Sequence, residues 1–489
     1  MFLKAFSEKC GEPNNIWIGG TENLHFIKDL EKGDLYRVKG IKQSHIKNAI
    51  LKNGLIWVNT HNGLYYIKPS NPERAQRIEG LEETIIVKIY FSGKQILALD
   101  WKRNLFQVDI QSNKAIPVEK INNISTFKIT DSINTDNKET TKENIWILGG
   151  EEGGLSLIKK NDLTDIQNLE PLKGVQISSL KELNGFVWAL TKTDGLFRID
   201  PENLLVKQLK PTKKQAITKL IKANEKLLAG TLNNGAYIFE ADDLSKLVKV
   251  EFLENEMINL IAESPQYIWI VGDFNGDIVR INKQNPLDVA KTSSLQGEKV
   301  IDIKPFNNYL WILTSKGEVY KINQDNLRKL FKVELLNKKQ VTKIKHLKNN
   351  LFFESFHGAF FATEDNTVQP IKNLENKRIN SIYPKDGQLW VETYDHKVFR
   401  INPNLVEIAN YLKDLDGINI WNIVEKKGNY IIASNNGAFI IHKDNLNEAI
   451  LIPNTKDHKV TSLLIYCDSL LLGTLEGYQR YLLKDLLKN

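Results

Sequence analysis

The sequence predicts an all-β fold, a β-propeller built from twelve four-stranded repeats of about 40 residues. Three observations carry that expectation. A short apolar phrase returns along the chain: NIWIGG at Trp17, LIWVNT at Trp57, NIWILGG at Trp146, FVWALT at Trp188, YIWIVG at Trp269, YLWILT at Trp311 and QLWVET at Trp390. The same slot holds Leu97, Leu228, Phe352, Ile431 and Leu471, and successive slots are 40, 40, 49, 42, 40, 41, 42, 41, 38, 41 and 40 residues apart. Most returns run into a turn rich in Gly, Asn and Asp. Such a period marks stacked supersecondary units, and four short strands per unit fit a propeller blade better than a β-solenoid coil, whose period is shorter.

Residues 300–335 show the order of elements within one unit. The first strand, VIDIKPF, belongs to a set framed as Ile-x-x-Ile: Ile86 and Ile89, Ile177 and Leu180, Ile217 and Leu220, Val300 and Ile303, Val341 and Ile344, Ile379 and Ile382. The second strand, YLWILT, is an almost unbroken apolar run, so both of its faces must be covered. A hairpin follows, carried elsewhere by Asn62-Gly63, Asp194-Gly195, Asn234-Gly235, Asn275-Gly276 and Asn436-Gly437 and here by Lys316-Gly317. Asn-Gly and Asp-Gly suit turns with positive φ at both central residues. The third strand, VYKINQ, the loop DNLR and the fourth strand, KLFKVEL, complete the unit. At the recurring slot one flat, bulky indole fills the wedge between neighbouring blades, which assigns seven of the nine tryptophans to the core. The one length anomaly is an insertion at 131–143, which enlarges a loop between first and second strands; Asp131 and Asp136 there lack the spacing of a calcium loop.

A propeller ring has roughly four to eight blades. Twelve units therefore predict two packed propellers, of six and six repeats or of five and seven; an even division puts repeats one to six over residues 1–252 and seven to twelve over 253–489. The alternative is one large twelve-bladed ring, because the spacing around Phe252 stays regular and no Pro/Gly-rich linker marks the midpoint. Cys10 and Cys467 follow the first strands of the first and last units, which become neighbours only in the single ring. A disulfide needs Cα atoms within about 7 Å, which adjacent blades seldom reach, so no bond is expected.

Composition narrows the function. The 66 Lys and Arg against 59 Asp and Glu leave a net charge of +7 spread over 489 residues, unlike the dense basic stripe of a dedicated nucleic-acid binder. Two cysteines exclude a disulfide scaffold and a four-cysteine zinc site. No apolar run reaches the roughly 18 residues of a membrane span, and the N-terminal residues lack the apolar stretch of a signal peptide. The expectation is a soluble, cytoplasmic chain, or a periplasmic or secreted one if the natural protein starts upstream of Met1.

At GLFRIDPENL, residues 195–204, with FVWALTKTD before it, and at QLWVETYDHKVFRINPNL, residues 388–405, the chain resembles the two-component regulator propeller repeat. That family's unit reads approximately L-W-I-G-T, a turn with Asp-Gly or Asn-Gly, then L-Y-R-Y-D-P. The resemblance runs through essentially the whole chain, weakest at Leu97 and Phe352. It implies a propeller fold and, from the family's setting in sensor regions of bacterial hybrid kinases, recognition of carbohydrate-derived ligands. No kinase and no sandwich domain accompany the repeats in this sequence. The Gly-His and Trp-Asp dipeptides of WD40 repeats are missing.

The expected function is a non-enzymatic binding or interaction scaffold recognising a protein or glycan partner, anionic ones included, without nucleic-acid specificity, membrane insertion, cofactor or metal. Between the first-strand frame residues sit Lys88, Ser179, Lys219, Asp302, Lys343 and Ser381, a mainly basic channel lining suited to an anionic or sugar-like ligand. Their simpler role is to keep a water-filled channel polar. Trp101 and Trp421 break the core register: Trp101 falls at a turn, where an indole stacks on a sugar or anchors a partner, and Trp421 lies in a first strand. Residues 328–348 hold eight Lys or Arg and one acid, Glu334, read as a solvated face or as an edge patch for an acidic partner. The rival function is a glycan hydrolase or lyase with Asp302, Asp194 and Glu476 as carboxylates. Catalytic motifs are missing: the eight histidines are dispersed, His61, His357 and His396 read as exposed turn residues, and the Gly-Gly pairs at 19 and 149 lack a phosphate-loop context.

Overall fold

The structure is a computed structural model that describes residues 2–5, 16–19, 23–28, 34–42, 45–92, 95–118, 124–130, 144–149, 153–159, 162–272, 276–292, 295, 298–385, 387–475 and 477–487. The strands form twelve antiparallel sheets in which strand order follows chain order, eleven of four strands and a last one of three. Each sheet is a β-propeller blade. The blades span 2–37, 46–77, 86–117, 124–168, 177–208, 217–249, 258–291, 300–332, 341–370, 379–411, 420–451 and 460–482. Among the described residues helix is confined to short 3-10 turns and Leu483–Leu486. No helix among the described residues is long and apolar enough to cross a membrane.

The Ile-x-x-Ile frame has a geometric cause. In a regular strand, residues three apart point to opposite faces. In blades two, three and five to twelve the first strand carries a bulge between its first and third residues: Val341 faces Ser355 and Lys343 faces Glu354, leaving Thr342 extra. The extra residue resets the alternation, so Val341 and Ile344 are buried together.

The second strand is buried on both faces, as its composition requires. Trp311 of blade eight packs on Val341, Ile344, Leu351 and Phe353 of blade nine, and Trp188 of blade five on Ile217, Leu220 and Phe239 of blade six. The threonine or serine ending this strand closes the hairpin. Thr191 donates its hydroxyl to Gly195 O (2.7 Å) and accepts Asp194 N–H (2.8 Å), and Thr60, Thr231, Ser355 and Ser434 repeat the bond to the glycine carbonyl. Gly195 has φ +89°, and a Cβ there would lie 2.5 Å from Thr212 O, so only glycine fits. Positive φ is confined to the glycine in these turns, not shared by both central residues as expected, because the hydroxyl supplies the closure. The third-strand Arg ties blades together: Arg198 reaches Ala241 O and Asp242 O of blade six, and Arg280 reaches Gln324 O at the end of blade eight's third strand.

The chain divides into two compact units, one of residues 1–125, 158–166 and 412–489, the other of 126–157 and 167–411. In the first unit, Ile16, Ile18 and Ile27 of blade one share a core with Leu471 of blade twelve. In the second, blades six and seven share a core across residues 252 and 253, where Leu228 and Ile238 meet Ile258 and Ile270. Two propellers divided there would instead place blade one on blade six. Both contacts run against a division between residues 252 and 253. Cys467 is disulfide-bonded, against expectation, while Cys10, the other cysteine of the sequence, lies outside the described residues. The insertion with Asp131 and Asp136, Glu476, Asn275, and Gly20 and Gly150 of the Gly-Gly pairs also lie outside them.

Candidate ligand-presenting positions

One backbone hydrogen bond recurs, in eight sheets among the described residues, at the end where the second strand finishes and the first begins. The residue just after the second strand donates its N–H to the carbonyl of the residue just before the first: Trp101 to Ile85 (2.9 Å), Leu232 to Ala216 (2.9 Å), Phe356 to Gln340 (3.3 Å), Tyr394 to Arg378 (2.9 Å). The bond fixes the backbone while the side chain stands beyond the sheet. Preorganised backbone with an exposed side chain is what a recognition position needs, because little entropy is lost on binding.

In the first unit this position holds His61, Trp101 and Asn435. Trp101 is 57% exposed, and its turn is capped by Asp100, which accepts Asn104 N–H (2.7 Å) and the Asn104 amide (2.9 Å). Lys102 Nζ lies 5.8 Å from its ring centroid. The His61 ring stands 4.8 Å from that of His45, and desolvation, then the charges of His45 and Lys47, lower its pKa. Trp421 is the bulge residue of blade eleven's first strand, 42% exposed, with Lys459 Nζ 4.7 Å from its ring. Lys88 is exposed and lies 4.7 Å from the ring of Tyr90, whose hydroxyl burial pushes up to about 12.

In the second unit Lys219 and Lys343 are exposed on the first strands of blades six and nine. Asp302 is held by Lys304, two residues along the same strand, in a 2.6 Å ion pair. Asp194 belongs to a hairpin and accepts the Thr193 hydroxyl. Within either unit, none of the six candidates Lys88, Lys219, Asp302, Lys343, Trp101 and Trp421 bonds or stacks with another. His357 and His396 are exposed in their turns, as is His61.

The basic stretch at 328–348 is not one edge patch. It runs from the outer strand Leu330–Lys332 of blade eight to the inner strand Val341–Leu347 of blade nine, and much of its charge is engaged. Lys332 pairs with Glu318 at 2.5 Å and Lys345 with Glu354 at 2.7 Å. The second pair is internal. Glu354, fully buried near the end of the second strand NLFFES, also accepts Ile382 N–H of blade ten (2.6 Å), and Lys345 donates to Ser381 Oγ (3.0 Å) and Ile382 O (2.7 Å). In blade ten the corresponding Glu392 accepts the Tyr383 hydroxyl (2.8 Å), whose pKa is raised by burial and then by the Glu392 charge.

Sequence reasoning missed Phe356, Arg378 and Tyr394. Their signal was available: Phe356 and Tyr394 stand in the same register after the second strand as Trp101. Among the described residues no group of three His, Cys, Asp or Glu is placed to share a metal ion.

No protein-family model matches the chain, and no curated protein matches it. Among solved structures the chain is similar to the extracellular domain of the putative hybrid two component system BT4673 from B. thetaiotaomicron, at 16% identity over 97% of this chain and 80% of that one, TM-score 0.26. It is also similar to PorZ, a surface component of the type-IX secretion system of Porphyromonas gingivalis, at 11% identity over 96% and 78%, TM-score 0.26. BamB from Moraxella catarrhalis matches at 10% identity over 62% and 95%, TM-score 0.30. Likenesses this distant carry no argument about what the chain binds.

Proposed function

We propose that this chain is a non-enzymatic binding scaffold, a propeller of the two-component regulator type that recognises a protein or glycan partner with side chains held at the ends of its second strands. One observation carries the reading. Trp101 is 57% exposed on a backbone bonded to Ile85 O, next to Asp100, which is bonded to Asn104, whereas the tryptophans of the recurring slot are at most 1% exposed. A rigid, exposed indole is the side chain most often found at the energetic centre of an interface and stacks equally well on a sugar ring. The disulfide at Cys467 supports the extracytoplasmic alternative for its location, since such bonds persist in oxidising compartments.

The test is a glycan array and a pull-down run in parallel with wild type and Trp101→Ala. The substitution is expected to weaken retention of the wild-type partner by at least about tenfold, the scale of a buried aromatic anchor, with an unchanged melting temperature. Equal retention by Trp101→Ala would contradict the reading.

A further inference from the structure

Arg378 stands just before the first strand of blade ten and is exposed. Its guanidinium carbon lies 3.9 Å from the ring centroid of Tyr394 and 4.2 Å from that of Phe356. Phe356 occupies in blade nine the position that Tyr394 occupies in blade ten, so two consecutive blades each give one ring to the same cation. The Tyr394 backbone is itself bonded to Arg378 O, which fixes the second ring against the guanidinium.

Ring contacts this close use the faces of a planar cation. Its N–H donors point outward in the guanidinium plane, and among the described residues they meet neither an acceptor nor a carboxylate. The neighbouring acid, Asp395, is engaged elsewhere: Lys397 pairs with it at 2.7 Å and the Thr393 hydroxyl donates to it, and these two hold its carboxyl below the usual range. Arg378 is thus held between two rings with its donors free.

We propose that Arg378, stacked on Phe356 and Tyr394, is a binding site for the side-chain carboxylates of an acidic peptide segment. The proposal rests on the reading of the chain as a binding scaffold. A planar fork of donors matches a carboxylate through two parallel hydrogen bonds. The ring faces on which a sugar would stack are taken by the guanidinium, and the exposed edge suits a carboxylate on a flexible stem. That geometry favours a peptide over an acidic glycan, and the net charge of +7 favours an acidic partner.

The experiment is a fluorescence-anisotropy titration of labelled octaglutamate with the full chain at low salt. Wild type is expected to bind saturably and octaglutamine not at all. Arg378→Lys keeps the charge but not the fork and is expected to weaken binding by about tenfold; Arg378→Ala weakens it at least as much. Tyr394→Phe, which keeps the ring, is expected to bind as wild type does, and Tyr394→Ala more weakly. Equal binding by Arg378→Lys and wild type would overturn the site, as would no saturable binding by wild type. Arg378-dependent binding of trigalacturonate with none of octaglutamate would overturn the peptide source. Loss of octaglutamate binding alongside a Trp101-dependent partner would sink this proposal and leave the scaffold reading intact.

Discussion

Replacing Trp311 by Ala is expected to lower folding stability by about 3–5 kcal/mol, the usual cost of deleting a large buried aromatic. Trp311 is fully buried and packs on Phe353 of the next blade, ring centroids 5.3 Å apart and planes tilted by 53°, so the substitution opens a void between two sheets rather than within one. Trp188, fully buried against Phe239 with its indole N–H donated to Leu183 O at 3.1 Å, is expected to behave alike. Trp101→Ala should cost no more than about 0.5 kcal/mol, the range of surface substitutions. Denaturant titration of the three variants measures the order, and Trp101→Ala as the most destabilised would contradict the assigned register.

The second large effect concerns the ion pair between blades nine and ten. Lys345→Met removes the cation from Glu354, whose carboxylate is fully buried, and is expected to cost about 3–5 kcal/mol because an uncompensated charge is left behind. Replacing both partners, Lys345→Met with Glu354→Leu, is expected to recover most of that loss, since apolar side chains of similar size avoid the desolvation of both ions. The same denaturant titration run as a double-mutant cycle reads the coupling. A double variant no more stable than Lys345→Met alone would show that the uncompensated Glu354 charge is not the source of the loss.

The blade pattern was legible in the sequence because each element writes its own period. The unbroken apolar run at Trp311 demanded two covered faces, and the structure covers both. The Ile-x-x-Ile frame was visible as a pattern but not as a bulge, since spacing of three does not say which strand carries the extra residue. The final Thr of the phrase looked like ordinary strand chemistry and turned out to be the hairpin's closure. The preference for two rings came from the usual blade number rather than from any residue.

The candidate site was half legible. Trp101 stood out because it broke the register of the core indoles. Arg378 did not, because its two rings come from Phe356 and Tyr394, 38 residues apart in neighbouring blades, and sequence spacing does not measure distance across blades. Glu354 showed as a polar residue in an apolar strand, yet its partner Lys345 lay within a run of lysines that read as solvated.

The repeat makes one buried position at the recurring slot and, four residues later, one presented to solvent, and iodide quenching of tryptophan fluorescence separates the two. The account predicts that wild type has a quenchable fraction due to Trp101 and Trp421, that Trp101→Phe removes the larger share of it, and that the double variant Trp101→Phe with Trp421→Phe is essentially unquenched while its other seven tryptophans still emit. A double variant quenched as strongly as wild type would place core-slot tryptophans in solvent and contradict the account.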